Sequence, residues 1–387
     1  MIYPEKRYFF MRIMFVITQL SPAGAEKIVS TLACACQQKE KEECLVLSLM
    51  PPPENGFTSV VEKLEKSGVK VQFLYGKSSL KSFLPLIFKI RKAVKEFAPD
   101  VIHAHLIHPS LLCRFACMFN KIPLVNTVHI AERRKGKKLF FFMDRLTSFR
   151  CDAYTAVSEA AGRFQEEKCH FQKGRLLVLP NGSDAVIPAD ISIVEKMKKE
   201  WNLSSCDFIA GAAGRLDYQK GYDLFLESIP LIAEKLPQDK KYGFLFMGEG
   251  PYGVLLRKKA QELNRMYKNI HIVFPGFRKD ASSLLVMLDL FLMPSRYEGY
   301  GLALAEAFSL GIPALSSKAD SLPEVCEHFA GHFLYCDPED AAETSEKFLQ
   351  AMKQKKFEGK IICSCEEMCD NYMKLYRCLT EKGGRNV

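Results

Sequence analysis

Two glutamates flank a short turn within the stretch PSRYEGYGLALAEAFSLGIP, residues 294–313. An apolar run, LLVMLDLFLM, precedes it and has the length and composition of a buried parallel strand with its approach. Glu298 lies before the predicted helix, and Glu306 is expected about two turns inside it. A turn into a helix N-terminus presents backbone N–H groups to a diphosphate, here from Gly299, Tyr300, Gly301 and Leu302. Carboxylates on both sides suit hydroxyl groups, so the pattern predicts a nucleotide-sugar site. An ordinary βα unit with two solvated glutamates is the alternative.

A second loop carries two cations in the sequence GRLDYQKG, directly after the apolar segment FIAGAA. Arg215 can grip phosphate oxygens with two N–H groups, and Lys220 adds a compact positive charge. Together they would offset the charge that develops on a leaving nucleoside diphosphate. A connecting loop with two solvated cations is the alternative.

The amino-terminal half offers neutral groups at predicted strand ends. His105 and His129 each follow an apolar strand, and Gly24 lies in the turn between the first strand and its helix, where a glycine permits close backbone approach to a phosphate or acceptor. A metal site is not favoured, because no carboxylate completes a ligand set with these histidines. Hydrogen-bonded structural histidines and a plain βα turn are the alternatives.

The sequence favours an enzyme that needs neither metal nor cofactor. No Asp-x-Asp pair occurs in the chain, and Arg215, Lys220 and a helix N-terminus can hold a diphosphate without a divalent ion. The fourteen cysteines are scattered in a chain without a clear signal peptide, which favours free thiols in a reducing compartment. The cluster Cys363, Cys365 and Cys369 is interpreted as helix packing rather than as a zinc site.

The paired glutamates and the Gly-Arg…Lys-Gly loop resemble those of family 4 glycosyltransferases, which have the GT-B fold. The resemblance implies that Glu298 contacts the transferred sugar, that Glu306 contacts the ribose, and that Arg215 and Lys220 hold the diphosphate. It also implies that His129, in the sequence NTVH, lies beside the transferred sugar. Glu298 and His129 are therefore the predicted catalytic residues.

Three further positions follow from the same resemblance. His105 matches a position lining the cleft, Gly250 lies in a loop near the donor, and Phe277 lies where backbone contacts to the base occur. The loop before Gly24 departs from the family pattern, because Ala23 replaces the first of two glycines.

The expected reaction is hexosyl transfer from a UDP-, GDP- or ADP-linked sugar to a hydroxyl, with retention of configuration. Members of the family build lipopolysaccharide, capsule and other surface glycans, so we expect a glycan or lipid-linked acceptor and no nucleic acid. A sugar-nucleotide epimerase of the same fold and a different nucleotide-binding protein with Rossmann domains are the alternatives. The chain lacks a GxGxxG after its first strand, which disfavours a nicotinamide enzyme.

Strand and helix patterns alternate along the chain, which predicts an α/β protein with parallel sheets. We expect two Rossmann-like domains that face each other across a cleft, with a last helix that crosses back to the first domain. The predicted divisions are an acceptor domain over 11–184, a donor domain over 185–360, and the helix and tail over 361–387. The segment 9–20 is short and interrupted by Arg12, so we interpret it as the first core strand and Met11 as a natural start.

Charge is distributed unevenly between the two halves. The whole chain carries a formal charge of +9, whereas residues 1–184 hold 28 Lys/Arg against 17 Asp/Glu, which is +11. Such an excess suits an anionic membrane surface or simple solubility. The segment 133–150, RRKGKKLFFFMDRLTSFR, is either an interfacial segment or a basic helix whose phenylalanines face the core. No apolar run reaches the ~18 residues of a spanning helix. We therefore expect a cytoplasmic protein, with peripheral attachment to the inner face of the cell membrane as the alternative.

Overall fold

The computed structural model describes residues 10–54, 56–77, 83–130 and 138–381. The chain divides into two compact units: unit 1 comprises Met1–Gly182 with Cys365–Val387, and unit 2 comprises Ser183–Ser364. Parts of two predicted segments, residues 80–82 of a helix and residues 133–137 of the basic segment, lie outside the described ranges. Within those ranges, every helix is too short or too polar to cross a bilayer.

Unit 1 is built on a parallel sheet whose described strands lie in the order β3-β2-β1-β4-β5-β6-β7. Apolar side chains dominate both faces of the central strands, since helices cover the sheet on both sides. The strands are β1 (Arg12–Ile17), β2 (Glu43–Ser48), β3 (Lys70–Phe73), β4 (Val101–His105), β5 (Leu124–Val128), β6 (Ala153–Ala156) and β7 (Leu176–Val178). The helices are α1 (Gly24–Lys39), α2 (Ser59–Lys66), α3 (Phe83–Phe97), α4 (Ile107–Ala116), α5 (Lys138–Thr147), α6 (Glu159–Cys169) and the last helix, α14 (Cys365–Glu381).

Unit 2 repeats this plan with strands in the order β10-β9-β8-β11-β12-β13. Its strands are β8 (Phe208–Ala213), β9 (Tyr242–Met247), β10 (Ile270–Gly276), β11 (Leu290–Met293), β12 (Ala314–Ser316) and β13 (Phe333–Tyr335). Its helices are α7 (Ile191–Glu200), α8 (Tyr222–Lys235), α9 (Gly253–Met266), α10 (Ala281–Leu284), α11 (Leu302–Ser309), α12 (Leu322–Cys326) and α13 (Ala341–Ala351). The predicted α/β fold with two Rossmann-like sheets is confirmed.

The last helix, α14, packs on unit 1 against α1. Its buried face carries Cys369, Tyr372, Met373 and Tyr376, and the Cys36 thiol of α1 lies 3.8 Å from the Cys369 sulfur. The carboxyl-terminal residues therefore complete the core of the amino-terminal unit, as expected for a helix that crosses back.

Strand order reverses once in each sheet, between β1 and β4 in unit 1 and between β8 and β11 in unit 2. Loops that leave the carboxyl ends of two such strands diverge to opposite faces and leave a crevice, which is where open α/β sheets bind ligands. In unit 2 the two loops are those with the predicted Arg215–Lys220 and Glu298 sites.

Candidate functional site

The predicted cationic loop and the predicted glutamate turn meet at the strand-order reversal of unit 2. Gly221 has a positive φ of +65°, and a Cβ atom there would lie 2.0 Å from the carbonyl oxygen of Pro294. Only a glycine permits this approach, which brings the loop after β8 against the loop after β11. The preceding residue, Lys220, is thereby held next to the glutamate turn.

Lys220 and Glu298 form an ion pair, with the lysine Nζ 2.5 Å from the glutamate Oε2. The two side chains are only 15% and 11% exposed. Glu298 Oε1 also accepts hydrogen bonds from the Gln219 side chain, at 3.4 Å, and from the Gly299 backbone, at 3.2 Å. Because a phosphate oxygen can replace a carboxylate oxygen beside an ammonium group, a diphosphate would compete with Glu298 for Lys220.

Arg215 lies in the same loop but has a different partner. Its side chain is 51% exposed, and Nη2 lies 2.5 Å from an oxygen of Asp217. An exposed ion pair of this kind is weak, so the guanidinium can leave Asp217 for a ligand at little cost. The GRLDYQKG loop thus carries both cations next to carboxylates that an anionic ligand would displace.

Glu306 sits closer to its helix start than the sequence pattern predicted. The helix α11 begins at Leu302, after Gly301 at a φ of +87°, so Glu306 is just over one turn inside it rather than two. The helix begins where the pattern LALAEAFSLG predicts it, and only the expected depth of two turns was wrong, because Glu306 lies four residues after Leu302. Glu306 Oε2 accepts a 2.8 Å hydrogen bond from the Ser282 hydroxyl of α10.

The remaining predicted donor residues surround these loops. Gly299, Tyr300 and Gly301 are buried in the turn, while Leu302 is half-buried at the start of α11. A Cβ atom at Gly250 would lie 2.4 Å from the Leu216 carbonyl oxygen, so Gly250 is the point where the loop after β9 contacts the GRLDYQKG loop. Phe277 follows β10 at the edge of the sheet and is half-buried.

Sequence reasoning missed the residues that orient this site. Asp320 accepts a 3.0 Å hydrogen bond from the Glu298 backbone, and Arg296 makes two 2.8 Å hydrogen bonds to the Asp223 carboxylate. Gln219 and Asp217 lie within the GRLDYQKG loop. The polar composition of that loop was the sequence feature that could have identified them as site residues. Asp320 comes 22 residues after Glu298 and no pattern links the two.

In unit 1, three histidines form a buried group on neighbouring strands. His105 is the last residue of β4, and His129 follows β5 directly. Their Nδ1 and Nε2 atoms lie 2.8 Å apart. His103 lies two residues before His105, and its ring centroid is 3.9 Å from that of His105. The structure therefore brings the two predicted unit 1 histidines into direct contact.

Burial keeps these histidines uncharged. Removal from water lowers the pKa of His129 to about 4. Burial, and to a smaller extent the neighbouring histidines, also lowers the pKa of His105 well below its usual range. His103 is shielded in the same way, and its ring nitrogens contact the hydroxyls of Tyr376 at 2.6 Å and Thr127 at 2.5 Å.

Gly24 opens α1 at the strand-order reversal of unit 1. It is exposed, and the preceding Ala23 has an extended backbone and makes no side-chain cap. Both loops at this reversal thus carry neutral groups, in contrast to the charged loops of unit 2.

No group of three or more His, Cys, Asp or Glu side chains suited to a metal ion occurs among the described residues. Cys363, Cys365 and Cys369 are buried free thiols. The Cys369 sulfur lies 3.8 Å from that of Cys36, and this contact together with burial raises the pKa of the Cys369 thiol. Neutral thiols of this kind pack as small apolar side chains.

An exposed apolar stripe lies on α5 and on the turn of 3-10 helix, Ser148–Arg150, that follows it, within the basic segment. Leu139, Phe142, Leu146 and Phe149 are 61%, 62%, 63% and 74% exposed; we call them the α5 stripe. Of the three consecutive phenylalanines, Phe141 is buried in the core, as a packed basic helix requires, and Phe142 is exposed in the stripe. A surface pocket of 360 Å³ lies between Phe142, Arg145 and the end of the stripe.

Two regions of the chain match known families. Residues 22–186 match the family described as Glycosyltransferase Family 4, and residues 193–365 match the one described as Glycosyl transferases group 1. The first range lies almost wholly in unit 1 and the second almost wholly in unit 2.

Similar individual proteins agree with these two family matches. An alpha-1,4-N-acetyl-D-galactosaminyltransferase of Campylobacter jejuni, named for an undecaprenol-linked acceptor, is 26% identical over 369 residues, 94% of each chain. The UDP-Gal:alpha-D-GlcNAc-diphosphoundecaprenol alpha-1,3-galactosyltransferase of Escherichia coli is 26% identical over 242 residues, 60% of this chain and 61% of that protein. The crystal structure of Anabaena HepE in complex with UDP and glucose shares the fold, with a TM-score of 0.76, 20% identity, and coverage of 95% and 100% of the two chains. Both curated relatives are named as transferases, and neither supports the epimerase alternative.

Proposed function

This chain is a glycosyltransferase of the GT-B fold and belongs to the family 4 type; we propose that it transfers a sugar with retention of configuration and without a divalent metal ion. The donor is a nucleoside-diphosphate sugar bound by unit 2. The acceptor is a hydroxyl of a lipid-linked glycan bound by unit 1, in the assembly of a surface polysaccharide such as capsule or lipopolysaccharide.

The observation that carries this proposal is the meeting of the GRLDYQKG loop and the glutamate turn at the strand-order reversal of unit 2. Lys220 and Arg215 are paired with carboxylates that a diphosphate can replace. Two cations and the N-terminus of α11 together offset the charge of a diphosphate, so a divalent ion is not required. Glu298 would then be released to accept hydrogen bonds from sugar hydroxyls, and Glu306 would bind the ribose.

The proposal of retention rests on the leaving phosphate, which accepts the proton, and on the two cations that would stabilise its charge. The acceptor oxygen forms its bond to the anomeric carbon on the face from which the diphosphate departs. The proton of the acceptor hydroxyl passes to an oxygen of the leaving phosphate, and Arg215 and Lys220 stabilise the negative charge left on it. His129, which is uncharged, would contact the sugar through a hydrogen bond rather than as an acid.

The donor is tested by thermal unfolding in the presence of UDP-, GDP- and ADP-sugars. UDP-sugars come first, because the E. coli relative is named for UDP-Gal and HepE was crystallised with UDP. A true donor at 100 times its Kd stabilises unit 2 by about 2.7 kcal/mol. The shift should persist in EDTA and disappear in Arg215→Ala and Glu306→Ala. If none of these sugars shifts the unfolding temperature, the donor assignment is wrong.

The stereochemical outcome is tested separately, once a donor and an acceptor are known. The anomeric proton of the product, observed by NMR during the reaction, should show the configuration of the donor sugar. An inverted product would contradict same-face attack and leave the donor site standing.

Peripheral membrane attachment is the second part of the proposal. The α5 stripe is flanked by the exposed cations Lys138 and Arg145, and residues 1–184 carry a net charge of +11. Exposed apolar side chains next to cations suit the interface of an anionic bilayer, each cation adding about 1 kcal/mol. A lipid-linked acceptor would be reached from that surface, on the cytoplasmic face of the membrane.

Vesicle co-sedimentation tests this surface. The variant with Phe142→Ser and Leu146→Ser should bind vesicles containing anionic phosphatidylglycerol at least about 10-fold more weakly, because two apolar side chains no longer enter the interface. A matched control is Val254→Ser with Leu255→Ser on α9 of unit 2, where the side chains are 81% and 55% exposed. Equal binding of both variants would exclude the α5 stripe as the membrane contact.

A further inference from the structure

The inference concerns the contact between His105 and His129 in unit 1. We infer that His105 is a positioning residue which donates its Nδ1 proton to Nε2 of His129 and so fixes His129 with its own proton on Nδ1. His129 then offers the substrate a hydrogen-bond donor and has no free lone pair with which to act as a base. The role in the reaction rests on the proposed function, but the protonation pattern does not.

The 2.8 Å separation of the two nitrogens requires one shared proton. Both rings are neutral because burial disfavours the imidazolium form. A neutral imidazole has one N–H donor and one acceptor, so only two arrangements exist. Either His105 donates from Nδ1, or His129 donates from Nε2.

The second nitrogen of His105 decides between these arrangements. His105 is fully buried, and its Nε2 has no hydrogen-bond partner among the described residues. If His129 donated, the only proton of His105 would lie on this Nε2 as a buried N–H without an acceptor, and such groups are rarer in proteins than unpaired acceptors. If His105 donates, Nε2 carries only a lone pair.

The two rings that lie against His105 in the described part of the chain, Phe15 and His103, offer its Nε2 no substitute acceptor. The Phe15 ring of β1 lies 6.2 Å away between centroids and is tilted by 31°, far from the perpendicular approach of an N–H···π contact. His103 stacks on His105 at 3.9 Å but uses its nitrogens on Tyr376 and Thr127. The Nδ1-donor form of His105 is therefore the one that the structure favours.

His129 is 8% exposed, and its Nε2 is occupied by His105. Nδ1 is the one polar atom of its ring left for a ligand. A fixed N–H donor suits a sugar hydroxyl oxygen, and because the donor is already oriented, no reorganisation is needed in the transition state.

The direct test is the tautomer of His129 in ligand-free protein labelled with ¹⁵N-histidine. Long-range ¹H–¹⁵N correlation spectra distinguish a protonated Nδ1 from a protonated Nε2, and His129→Gln assigns the signal. We expect a protonated Nδ1 and an unprotonated Nε2. A protonated Nε2 on His129 overturns the inference, whatever substrate the enzyme uses.

Three substitutions connect the tautomer to turnover. His105→Asn keeps an N–H donor near the Nδ1 position and should preserve the tautomer and kcat within about 3-fold. His105→Asp presents an acceptor and should place a proton on Nε2 of His129, whereas His105→Leu leaves that nitrogen without a partner to fix the ring; both should lower kcat by about 10- to 100-fold. The donor KM should change less than 3-fold, because unit 2 is untouched.

A His105→Asp variant in which His129 keeps an unprotonated Nε2 and kcat stays at the wild-type value would refute the positioning role. Should a variant fail to fold, the wild-type spectrum still decides the tautomer. Should no donor sugar bind at all, the proposed function fails while the spectrum continues to test the histidine pair.

Discussion

The two units share the central strand order of a Rossmann sheet but hold their site groups in opposite electrostatic states. At the reversal in unit 2, Lys220 and Glu298 form an ion pair whose side chains are mostly buried. In unit 1, His105 and His129 are buried and neutral, and they are paired to each other. The carboxyl ends of parallel strands in the two units therefore present charges that a charged ligand exchanges in one case and fixed dipoles that a neutral ligand meets in the other.

This difference fits the two substrates of a transferase. A nucleoside diphosphate brings two or more negative charges, and its oxygens can replace the carboxylates beside Arg215 and Lys220. A sugar or acceptor hydroxyl is uncharged, and a neutral imidazole can hydrogen-bond it without the desolvation penalty of an ion. Each prediction below tests one side of this contrast.

The largest expected effect concerns the buried charge that unit 1 does contain, away from its histidines. Arg114 of α4 is fully buried and pairs with Asp144, which is 2% exposed, at 2.5 Å; it also bonds Asn126. Arg114→Met should lower the free energy of unfolding of unit 1 by about 3–5 kcal/mol, because Asp144 is left buried without its cation. Peptide-level hydrogen exchange can assign the loss to unit 1. The control Arg163→Met, at an exposed pair with Glu159, should change stability by no more than about 0.5 kcal/mol.

Unchanged protection of unit 1 peptides in Arg114→Met would contradict the stabilising role of this buried ion pair.

The next effect concerns the exchangeable charges of unit 2. Lys220→Met should lower kcat/KM by about 100-fold, which is about 2.7 kcal/mol, since the leaving diphosphate loses a cation in the transition state. Lys240→Met, at an exposed position of the same unit, is the matched control and should leave kcat/KM unchanged. Initial rates at subsaturating donor measure both variants, and a Lys220→Met enzyme within 3-fold of wild type would contradict the role of this lysine.

A smaller effect is expected in the pH dependence of unit 1. The pKa of His129 is lowered to about 4 in the folded state, against about 6.5 when unfolded. The unfolded chain therefore binds more protons between these values, and stability falls as the pH drops through that window. For His129 alone the loss between pH 7.5 and pH 5 is about 2 kcal/mol.

Denaturant unfolding of wild type and His129→Gln at both pH values measures this pH-dependent loss of stability. Hydrogen exchange follows unit 1, and the fluorescence of Trp201, the single tryptophan, follows unit 2. The pH-dependent loss should be smaller by about 2 kcal/mol in the variant. An equal loss in both proteins would mean that His129 is not buried as a neutral ring.

The sequence predicted the alternating elements well because buried parallel strands are continuous apolar runs. The apolar segment FIAGAA coincides with β8, and the run LLVMLDLFLM contains β11. The helix α4 was not predicted, since it is short, contains Pro109 and starts after Leu106, which has a positive φ of +73°. The hydrophobic periodicity of a sequence does not indicate a helix that begins after a residue with positive φ.

The sequence predicted which loops carry the site residues. It did not predict the hydrogen-bond and ion-pair partners that these residues have in the structure. Lys220 and Glu298 lie 78 residues apart, and Ser282 and Glu306 lie 24 apart on different elements. Such contacts depend on the close approach at Gly221 and on the strand order of the sheet, neither of which has a periodic signature. The predicted roles of these residues stay predictions. Only the structure shows that Lys220 pairs with Glu298 and that Ser282 bonds to Glu306.

The central claim is that unit 2 holds a nucleoside diphosphate by Arg215, Lys220 and the start of α11 without a divalent ion. Isothermal titration of UDP, GDP and ADP into the full-length protein, in EDTA and again in magnesium, tests it most directly. We predict saturable binding of one of them with the same Kd in both buffers and its loss in Arg215→Ala. Binding that requires magnesium, or that survives Arg215→Ala unchanged, would contradict the claim.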